Sequence, residues 1–208
     1  GLRRFGLRRH SNLLELDHNK TTNPQVKALI TYPILSSLGV ELTVSEVAPS
    51  GLKYNGTFAL AQLTSTPVLK PEDEEPSTEW KHEWRAISST DFPNLTQLKL
   101  ELWLPDPKAK LKPNEWVTNG GCLVLRFPFE PDYNFLGLRT EILTMRLPLF
   151  PTPERAKSRE YLTEPLFIKT TLVDAVNMTK ELDPRSLEKL AYFLGVRNPL
   201  GVFRLDYS

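Results

Sequence analysis

Polar and apolar residues alternate along several short segments of the chain, and this alternation predicts β-strands. The clearest segment is 96–104, in which leucine occupies every second position: Leu98, Leu100, Leu102 and Leu104. Other apolar or alternating runs predict strands at residues 26–32, 40–47, 58–63, 122–127, 139–147, 166–172 and 200–205. Short strands separated by frequent turn residues are typical of a mainly β protein.

One segment near the C-terminal end has helical periodicity instead. Its apolar positions recur every three or four residues, at Leu187, Leu190, Ala191 and Leu194. Asp183 is a good N-cap, Pro184 suits the first helical position, and Gly195 is a favourable C-cap. These signals predict a single helix between residues 183 and 195.

The strands and turns together predict a closed or nearly closed β-barrel, followed by a mixed α/β segment with one C-terminal helix. Asn55-Gly56 favours the tight turn of a β-hairpin just before the strand at 58–63. We divide the chain into a basic tail (1–25), the barrel (26–150) and the α/β segment (151–208). Residues 67–79 carry many charges and few apolar side chains, which predicts an exposed acidic loop inserted between strands of the barrel segment.

Composition excludes some classes of function. The chain has 208 residues, of which 40% are hydrophobic and 25% charged, as in an ordinary globular protein. Its formal net charge is only +1, so no global field points to nucleic acid as a partner. No apolar run approaches the roughly 18 residues that a membrane-spanning helix requires.

The first ten residues are basic, and two interpretations remain open for them. They contain four arginines and one histidine: Arg3, Arg4, Arg8, Arg9 and His10. They are either a solvated tail, or a segment that flanks a membrane anchor or remains from a transit peptide. The second interpretation allows membrane association through this segment.

Candidate catalytic chemistry is sparse. Cys122 is the single cysteine, which agrees with a reducing compartment such as the cytoplasm or mitochondrion. Its apolar strand predicts a buried structural thiol, and the same setting opposes a role as thiolate nucleophile. His10, His18 and His82 lack metal-ligand spacing, so no metal site is expected.

Trp80 and Trp84 are four residues apart and flank Lys81 and Arg85. Indole rings beside cations can stack on a base or a sugar. The alternative is that both tryptophans belong to the barrel core or close its end, and we favour that interpretation.

Four segments, in order, resemble the N-terminal β-barrel domain of the MOSC family. The first is ALITYPILSSLGVEL at residues 28–42, where the family has Tyr-Pro-Ile/Val-Lys-Ser. The second is GLKYNGTF at 51–58, where the family has Gly-Leu-x-Tyr-Asp-Arg-x-Trp/Phe. The third is SSTDFPNL at 88–95, similar to Thr-Gln-Arg-x-Phe-Pro-x-Leu. The fourth is YFLGVRNPLGVFRLD at 192–206, which resembles the lead-in to the MOSC core in fungal-type relatives.

The resemblance implies a molybdenum-pterin cofactor, because the family includes molybdenum-cofactor sulfurase C-terminal regions and the mitochondrial amidoxime-reducing component. In the family a cysteine of the later MOSC half holds the metal, and arginine or lysine suits the phosphate of the pterin. Here the family's cations are replaced at Leu35, at Asn55-Gly56 and at Thr90. Each lost charge-assisted contact is worth about 1.5–3 kcal/mol, so we expect this chain alone to bind the cofactor poorly.

Three hypotheses of function follow. The first is the N-terminal portion of a MOSC-type oxidoreductase-like or sulfur-carrier protein, whose catalytic half lies beyond Ser208 and is its partner. The second is a non-catalytic binding or scaffold module that kept the barrel and lost the cofactor. The third is a membrane-tethered partner protein that uses the basic N-terminus.

Overall fold

A computed structural model describes residues 1–7, 11, 26–49, 51–68, 79–108, 114–130 and 140–205. The protein is mainly β and contains a closed five-stranded barrel, which confirms the predicted fold class. The strands are β1 (Leu2–Phe5), β2 (Leu29–Thr31), β3 (Val40–Leu42), β4 (Val47–Ala48), β5 (Gly51–Leu52), β6 (Phe58–Pro67), β7 (Trp80–Ala86), β8 (Lys99–Pro105), β9 (Cys122–Phe129), β10 (Glu141–Pro148), β11 (Leu162–Ile168), β12 (Thr171–Asn177) and β13 (Leu200–Arg204). The helices are α1 (Glu115–Thr118), α2 (Pro153–Ser158) and α3 (Pro184–Leu194), with short 3-10 helices at Pro93–Gln97 and Thr179–Glu181.

The barrel has the strand order β11-β12-β13-β6-β7, and a parallel pair between β7 and β11 closes it. Side chains from these strands form one buried cluster inside it: Ala59, Ala61, Leu166, Ala175, Phe203 and Leu205. The interior is narrow, and a Cβ atom on Gly201 would lie 2.8 Å from the Trp84 ring. Trp84 stacks edge-on against Phe203 at 5.1 Å between ring centroids, so it belongs to the barrel core as expected.

A four-stranded antiparallel sheet, in the order β1-β8-β9-β10, packs beside the barrel. The alternation of β6 serves both units, because Phe58 and Leu60 join the main core while Ala59 and Ala61 face the barrel interior. From the sheet, Leu102 and Leu125 enter the same main core, fully buried. The leucine alternation of the sequence therefore predicted the buried face of β8.

Helix α3 covers this core, and its prediction is confirmed in detail. The Asp183 side chain accepts a hydrogen bond from the Ser186 N–H, and Gly195 ends the helix in the left-handed conformation. Leu190 and Leu194 are buried against the sheet. The opposite face of α3 carries charged and polar side chains, as expected for an amphipathic surface helix.

Two of the predicted segment boundaries need correction. The division after residue 150 does not separate the barrel from the rest, because β11, β12 and β13 complete the barrel that β6 and β7 begin. Residues 2–5 of the predicted tail form β1, whose backbone pairs with β8 from Leu2 opposite Pro105 to Phe5 opposite Leu102. Pairing of distant strands, rather than local pattern, determines both features.

Several predicted elements also differ locally. The predicted strand 166–172 is a hairpin, because the chain turns at Lys169, which has a φ of 55°. The segment 96–104 begins inside a 3-10 helix, and its strand starts at Lys99. Of 40–47, only the two ends are extended, as β3 and the start of β4. Asn55-Gly56 lies in a turn but not in a hairpin, since β5 pairs with β4 and β6 pairs with β7 and β13.

The remaining predicted strands match β2, β6, β9, β10 and β13 to within a few residues, with β6 four residues longer than the predicted 58–63. Residues 69–78 of the predicted acidic loop lie outside the described residues. At the ends of that loop the Val68 N–H donates to the Glu79 carbonyl at 3.0 Å, which continues the β6–β7 ladder.

Candidate functional site

The first, second and fourth of the segments that carry the family resemblance meet along the first half of β6, and the third follows a residue that contacts this strand. The Phe58 N–H donates to the Pro33 carbonyl and the Leu35 N–H to the Phe58 carbonyl, at 2.8 and 2.9 Å. Two residues along the same edge of β6, the N–H of Ile87, which directly precedes the third segment, donates to the Leu60 carbonyl at 2.9 Å. The opposite edge of β6 pairs with β13, from Gln62 opposite Leu200 to Phe58 opposite Arg204. We call this meeting point the β6 junction.

Side chains and backbone join the first two segments further. The Gly56 N–H donates to the Tyr32 carbonyl at 2.8 Å, and the Tyr32 N–H donates to the Asn55 side-chain oxygen at 3.0 Å. The Thr31 hydroxyl donates to the Lys53 carbonyl at 3.1 Å. Asn55 therefore stabilises the turn, where the family has an aspartate.

The third and fourth segments are linked in the same manner. The Asn94 side-chain amide donates to the Phe193 carbonyl at 2.7 Å, although 99 residues separate the two in sequence. Thr90 is exposed and lies in the turn that the Asp91 N–H closes onto the Ser88 carbonyl at 3.2 Å. The structure thus places Thr90 beyond the end of β7, at the margin of the β6 junction.

The side chains at the substituted positions carry no charge. Leu35 is half-buried and packs against the cluster inside the barrel. Gly56 has no side chain, and its φ of 64° fits the turn. Asn55 uses its oxygen on Tyr32, and Thr90 presents a neutral hydroxyl. The β6 junction is therefore apolar or neutral at the positions where the family has cations.

Two cations near the β6 junction are already engaged. Lys53 Nζ lies 2.7 Å from a Glu46 carboxylate oxygen, and this hydrogen bond is the main reason that the pKa of Lys53 is raised. Arg204 donates from Nε to the Leu149 carbonyl at 3.2 Å and lies over the Phe150 ring at 5.6 Å. A phosphate would have to compete with these contacts.

An amphipathic cleft adjoins the second segment, with a volume of about 360 Å³. Its residues are Phe5, Val44, Ser45, Glu46, Lys53, Tyr54, Leu104, Pro105 and Gly120. Tyr54 has a φ of 68°, a backbone conformation that is uncommon for a bulky residue, and its ring lies 6.3 Å from that of Phe150. Burial raises the pKa of the Tyr54 hydroxyl, which stays protonated and can donate a hydrogen bond at neutral pH.

The residues present do not fit the phosphate of a molybdenum-pterin cofactor. A phosphate group requires several charge-assisted donors, for which arginine has the best geometry. The substituted positions Leu35, Asn55, Gly56 and Thr90 offer none, and Lys53 and Arg204 have other partners.

Cys122 is a buried structural thiol, as its apolar strand predicted. It is 1% exposed at the start of β9. Burial raises the pKa of the thiol to about 11, although the charge of Arg146 acts in the opposite direction. Since the thiolate is the reactive form, this position is unsuited to a nucleophile.

We expect the Cys122 thiol to react with a disulfide reagent only when the protein unfolds. The native protein at pH 8 should react at least 100-fold more slowly than the denatured protein, because both the raised pKa and the burial protect the thiol. The absorbance of the released thiol measures the rate. The exposed variant Ser158→Cys is the control, and a native Cys122 that reacts as fast as Cys at 158 would contradict the assignment.

The other candidate residues do not form a site. His10 and His18 lie outside the described residues, and His82 is exposed, with Nδ1 at 2.7 Å from the Ser65 hydroxyl. Trp80 is 57% exposed at the start of β7, so of the two tryptophans Trp80 and Trp84, only Trp84 packs on the barrel core. Among the described residues, no three His, Cys, Asp or Glu side chains are placed to hold a metal ion.

Comparisons with protein-family models, with curated proteins and with solved structures gave no match. In the described part of the chain, no helix is both long enough and apolar enough to cross a membrane.

Proposed function

We propose that this chain is the barrel half of a MOSC-type protein of the oxidoreductase-like or sulfur-carrier kind, and that it is not a complete catalyst. The observation that supports the proposal is the β6 junction, where the first, second and fourth resembling segments meet along one strand and Asn94 of the third donates to the Phe193 carbonyl of the fourth. In this proposal the barrel provides a wall of a cofactor site, and a partner half provides the thiolate and the cationic contacts.

The neutral side chains at the β6 junction favour a second candidate, a binding or scaffold module that has lost the cofactor. Leu35 packs on the barrel interior, and Asn55 stabilises a turn, so both serve the fold. The two candidates differ in whether a molybdenum-pterin partner half exists. They agree that this chain alone retains no cofactor.

The first experiment measures the cofactor content of the protein. We expect the chain, purified from a host that makes the molybdenum-pterin cofactor, to contain neither stoichiometric molybdenum by mass spectrometry nor pterin by fluorescence. Stoichiometric amounts of both would contradict the assignment of a neutral, non-ligating junction.

The second experiment restores the cations. The variant Leu35→Lys/Gly56→Arg/Thr90→Arg should bind inorganic phosphate at least 10-fold more tightly than the wild type, because each charge-assisted contact is worth about 1.5–3 kcal/mol. The neutral variant Leu35→Gln/Gly56→Asn/Thr90→Gln, which changes the same three positions, is the control. Isothermal titration calorimetry measures both affinities.

Equal phosphate affinity in the two variants would show that the three positions do not converge on one anion site. That result removes the MOSC-type arrangement. It leaves only a β-barrel module of another kind.

A further inference from the structure

The outer face of the four-stranded sheet is basic. Its opposite face is buried in the main core through Leu102, Leu123 and Leu125. By strand alternation and register, the outer face carries one cation on β1, one on β8, one on β9 and one on β10: Arg4, Lys99, Arg126 and Arg146. We call these four residues the basic face. Lys99 and Arg146 are exposed, with Arg146 5.9 Å from the centre of the Trp116 ring, and the side chains of Arg4 and Arg126 are 40% and 36% exposed. Val124 and Cys122, which lie on the same face of β9, are buried, so the open part of the face is its edge around Arg4, Lys99 and Arg126.

One carboxylate partly balances these charges. Among the described strand residues on the outer face, Glu101 is the single acid, and it lies 3.8 Å from Arg4 and 3.6 Å from Arg126. It also accepts a hydrogen bond from the Trp103 ring N–H at 2.9 Å. Glu101 is therefore shared among three donors, and most of the positive charge of the basic face remains uncompensated.

The pairing of Lys99 with Arg126 is a second, independent indication that the basic face binds an anionic partner. These two residues are directly opposite each other on β8 and β9. Like charges at directly opposed positions destabilise a sheet, and a polar uncharged residue at either position would serve the fold better. The pairing is understandable if an anionic partner lies over both cations.

The shape of the face favours an extended partner over a small anion. The four cations are spread over four neighbouring strands, a width of about 14 Å at the usual strand spacing. A shallow depression of about 590 Å³ opens between β1, β8 and β9, lined by Leu2, Arg3, Arg4, Glu101, Trp103 and Arg126. Such a surface can contact several headgroups at once.

The composition of the face favours a membrane over nucleic acid or protein. Single-stranded nucleic acid is usually held by exposed aromatic rings, whereas the Trp103 indole is half-buried and fixed to Glu101. The centre of a protein interface is usually depleted of charge, whereas charge occupies the centre of this face. Ile142 on β10 is 56% exposed on the same face, next to Thr144, to which Arg126 donates a hydrogen bond.

We propose that the basic face is a binding surface for an anionic lipid bilayer. The interaction is electrostatic, since roughly 1 kcal/mol is gained for each lysine or arginine near an anionic membrane. β1 places Arg4, one of the arginines among the first ten residues, on this face. This proposal does not depend on the function proposed for the β6 junction.

Vesicle co-sedimentation of the full chain tests the proposal. The wild type should sediment with phosphatidylcholine/phosphatidylserine vesicles at low salt, but not with phosphatidylcholine alone, and high salt should release it. The variant Lys99→Gln/Arg126→Gln should bind roughly 10- to 30-fold more weakly, because two cations are lost. The control Arg185→Gln/Arg197→Gln loses the same charge around α3, on the core side of the sheet, and should bind like the wild type.

A second variant separates binding from stability. Lys99→Glu places a carboxylate opposite Arg126, so the midpoint of thermal unfolding should not fall, while vesicle binding should weaken about 10- to 30-fold, as in the double variant with the same change of charge. Three results would overturn the proposal: no binding of the wild type at low salt, equal weakening in the two double variants, or retention on an acidic protein or RNA with no binding to vesicles.

Discussion

Replacing Arg155 with methionine is expected to lower the free energy of unfolding by about 3–5 kcal/mol, because it leaves a buried carboxylate unpaired. The Glu181 side chain is only 1% exposed and that of Arg155 is 11% exposed. Arg155 binds Glu181 with two parallel hydrogen bonds of 2.8 and 2.7 Å, and its guanidinium lies 4.8 Å from the centre of the Trp116 ring. The Tyr161 hydroxyl also donates to Glu181. The network ties α2 to the 3-10 helix at 179–181 and to α1.

The pH dependence of this loss has a defined sign. Burial alone would raise the pKa of Glu181, but the hydrogen bonds from Arg155 and Tyr161 together outweigh it and hold that pKa below its ordinary value of 4.5. A lowered pKa stabilises the folded state above pH 4.5, and this stability is lost as the pH falls through the folded value. In Arg155→Met the burial and the Tyr161 hydrogen bond remain, but the charge and the two hydrogen bonds of Arg155 are lost. The pKa of Glu181 should therefore rise, and the difference from the wild type should shrink in acid.

Chemical denaturation monitored by tryptophan fluorescence, at pH 7 and at pH 4, measures both effects. The matched control is Lys180→Met. Lys180 lies on the same 3-10 helix as Glu181 and forms an ion pair with Glu160, and both side chains of this pair are more than half exposed. Its loss should not exceed about 1 kcal/mol. The double variant Arg155→Met/Glu181→Met should recover much of the stability. A loss below 1 kcal/mol in Arg155→Met would show that the buried pair does not hold α2 in place.

Local signals in the sequence were sufficient for the elements that depend on local chemistry. The caps and the apolar face of α3 agree with the sequence prediction, since Asp183, Pro184 and Gly195 act within a few residues. The same holds for the buried face of β8 and for the burial of Cys122. In each case the determining contacts follow from periodicity or from a single cap.

Long-range pairing was not accessible in the same way. β7 and β11 close the barrel as parallel partners, with Leu166 opposite Trp84, and no local pattern indicates this register. The turn at Lys169 was missed because it contains neither glycine, asparagine nor proline. β1 is an edge strand whose existence depends on β8. Tertiary contacts determine all three.

The functional residues also fall into two groups, those that a sequence motif indicates and those that only the fold brings together. A family motif points to Leu35, Asn55, Gly56 and Thr90. In the structure the first, second and fourth segments meet at β6, and the third is joined to the fourth by Asn94. The Arg155–Glu181 network and the basic face left no motif, because their members come from different elements. A charged residue opposite a like charge becomes visible only when the register of the sheet is known.

The second large effect concerns Gly121, whose replacement by alanine should cost at least about 3 kcal/mol. Gly121 precedes β9, has a φ of 100°, and a Cβ atom there would lie 2.2 Å from the Trp103 carbonyl oxygen. That oxygen belongs to the backbone of β8, so the clash cannot be relieved by turning a side chain. The Gly121 N–H also donates to the Trp116 carbonyl at 2.8 Å, and its own carbonyl accepts from the Leu149 N–H. Any shift of Gly121 therefore disturbs α1, β8 and the end of β10 together.

Gly195→Ala is the control that separates the backbone strain of a positive φ from the steric clash of an added Cβ atom. Gly195 also has a positive φ, of 78°, but no heavy atom lies within 4 Å of the position its Cβ would occupy. Its substitution should cost only the strain of the left-handed conformation, about 1 kcal/mol. Denaturant midpoints of the two variants measure the difference. If both substitutions lower the free energy of unfolding by the same amount, the close approach of β8 to Gly121 is not a constraint on the sheet. In that case β8 must pack against the start of β9 more loosely than the 2.2 Å distance from the added Cβ to the Trp103 carbonyl oxygen implies.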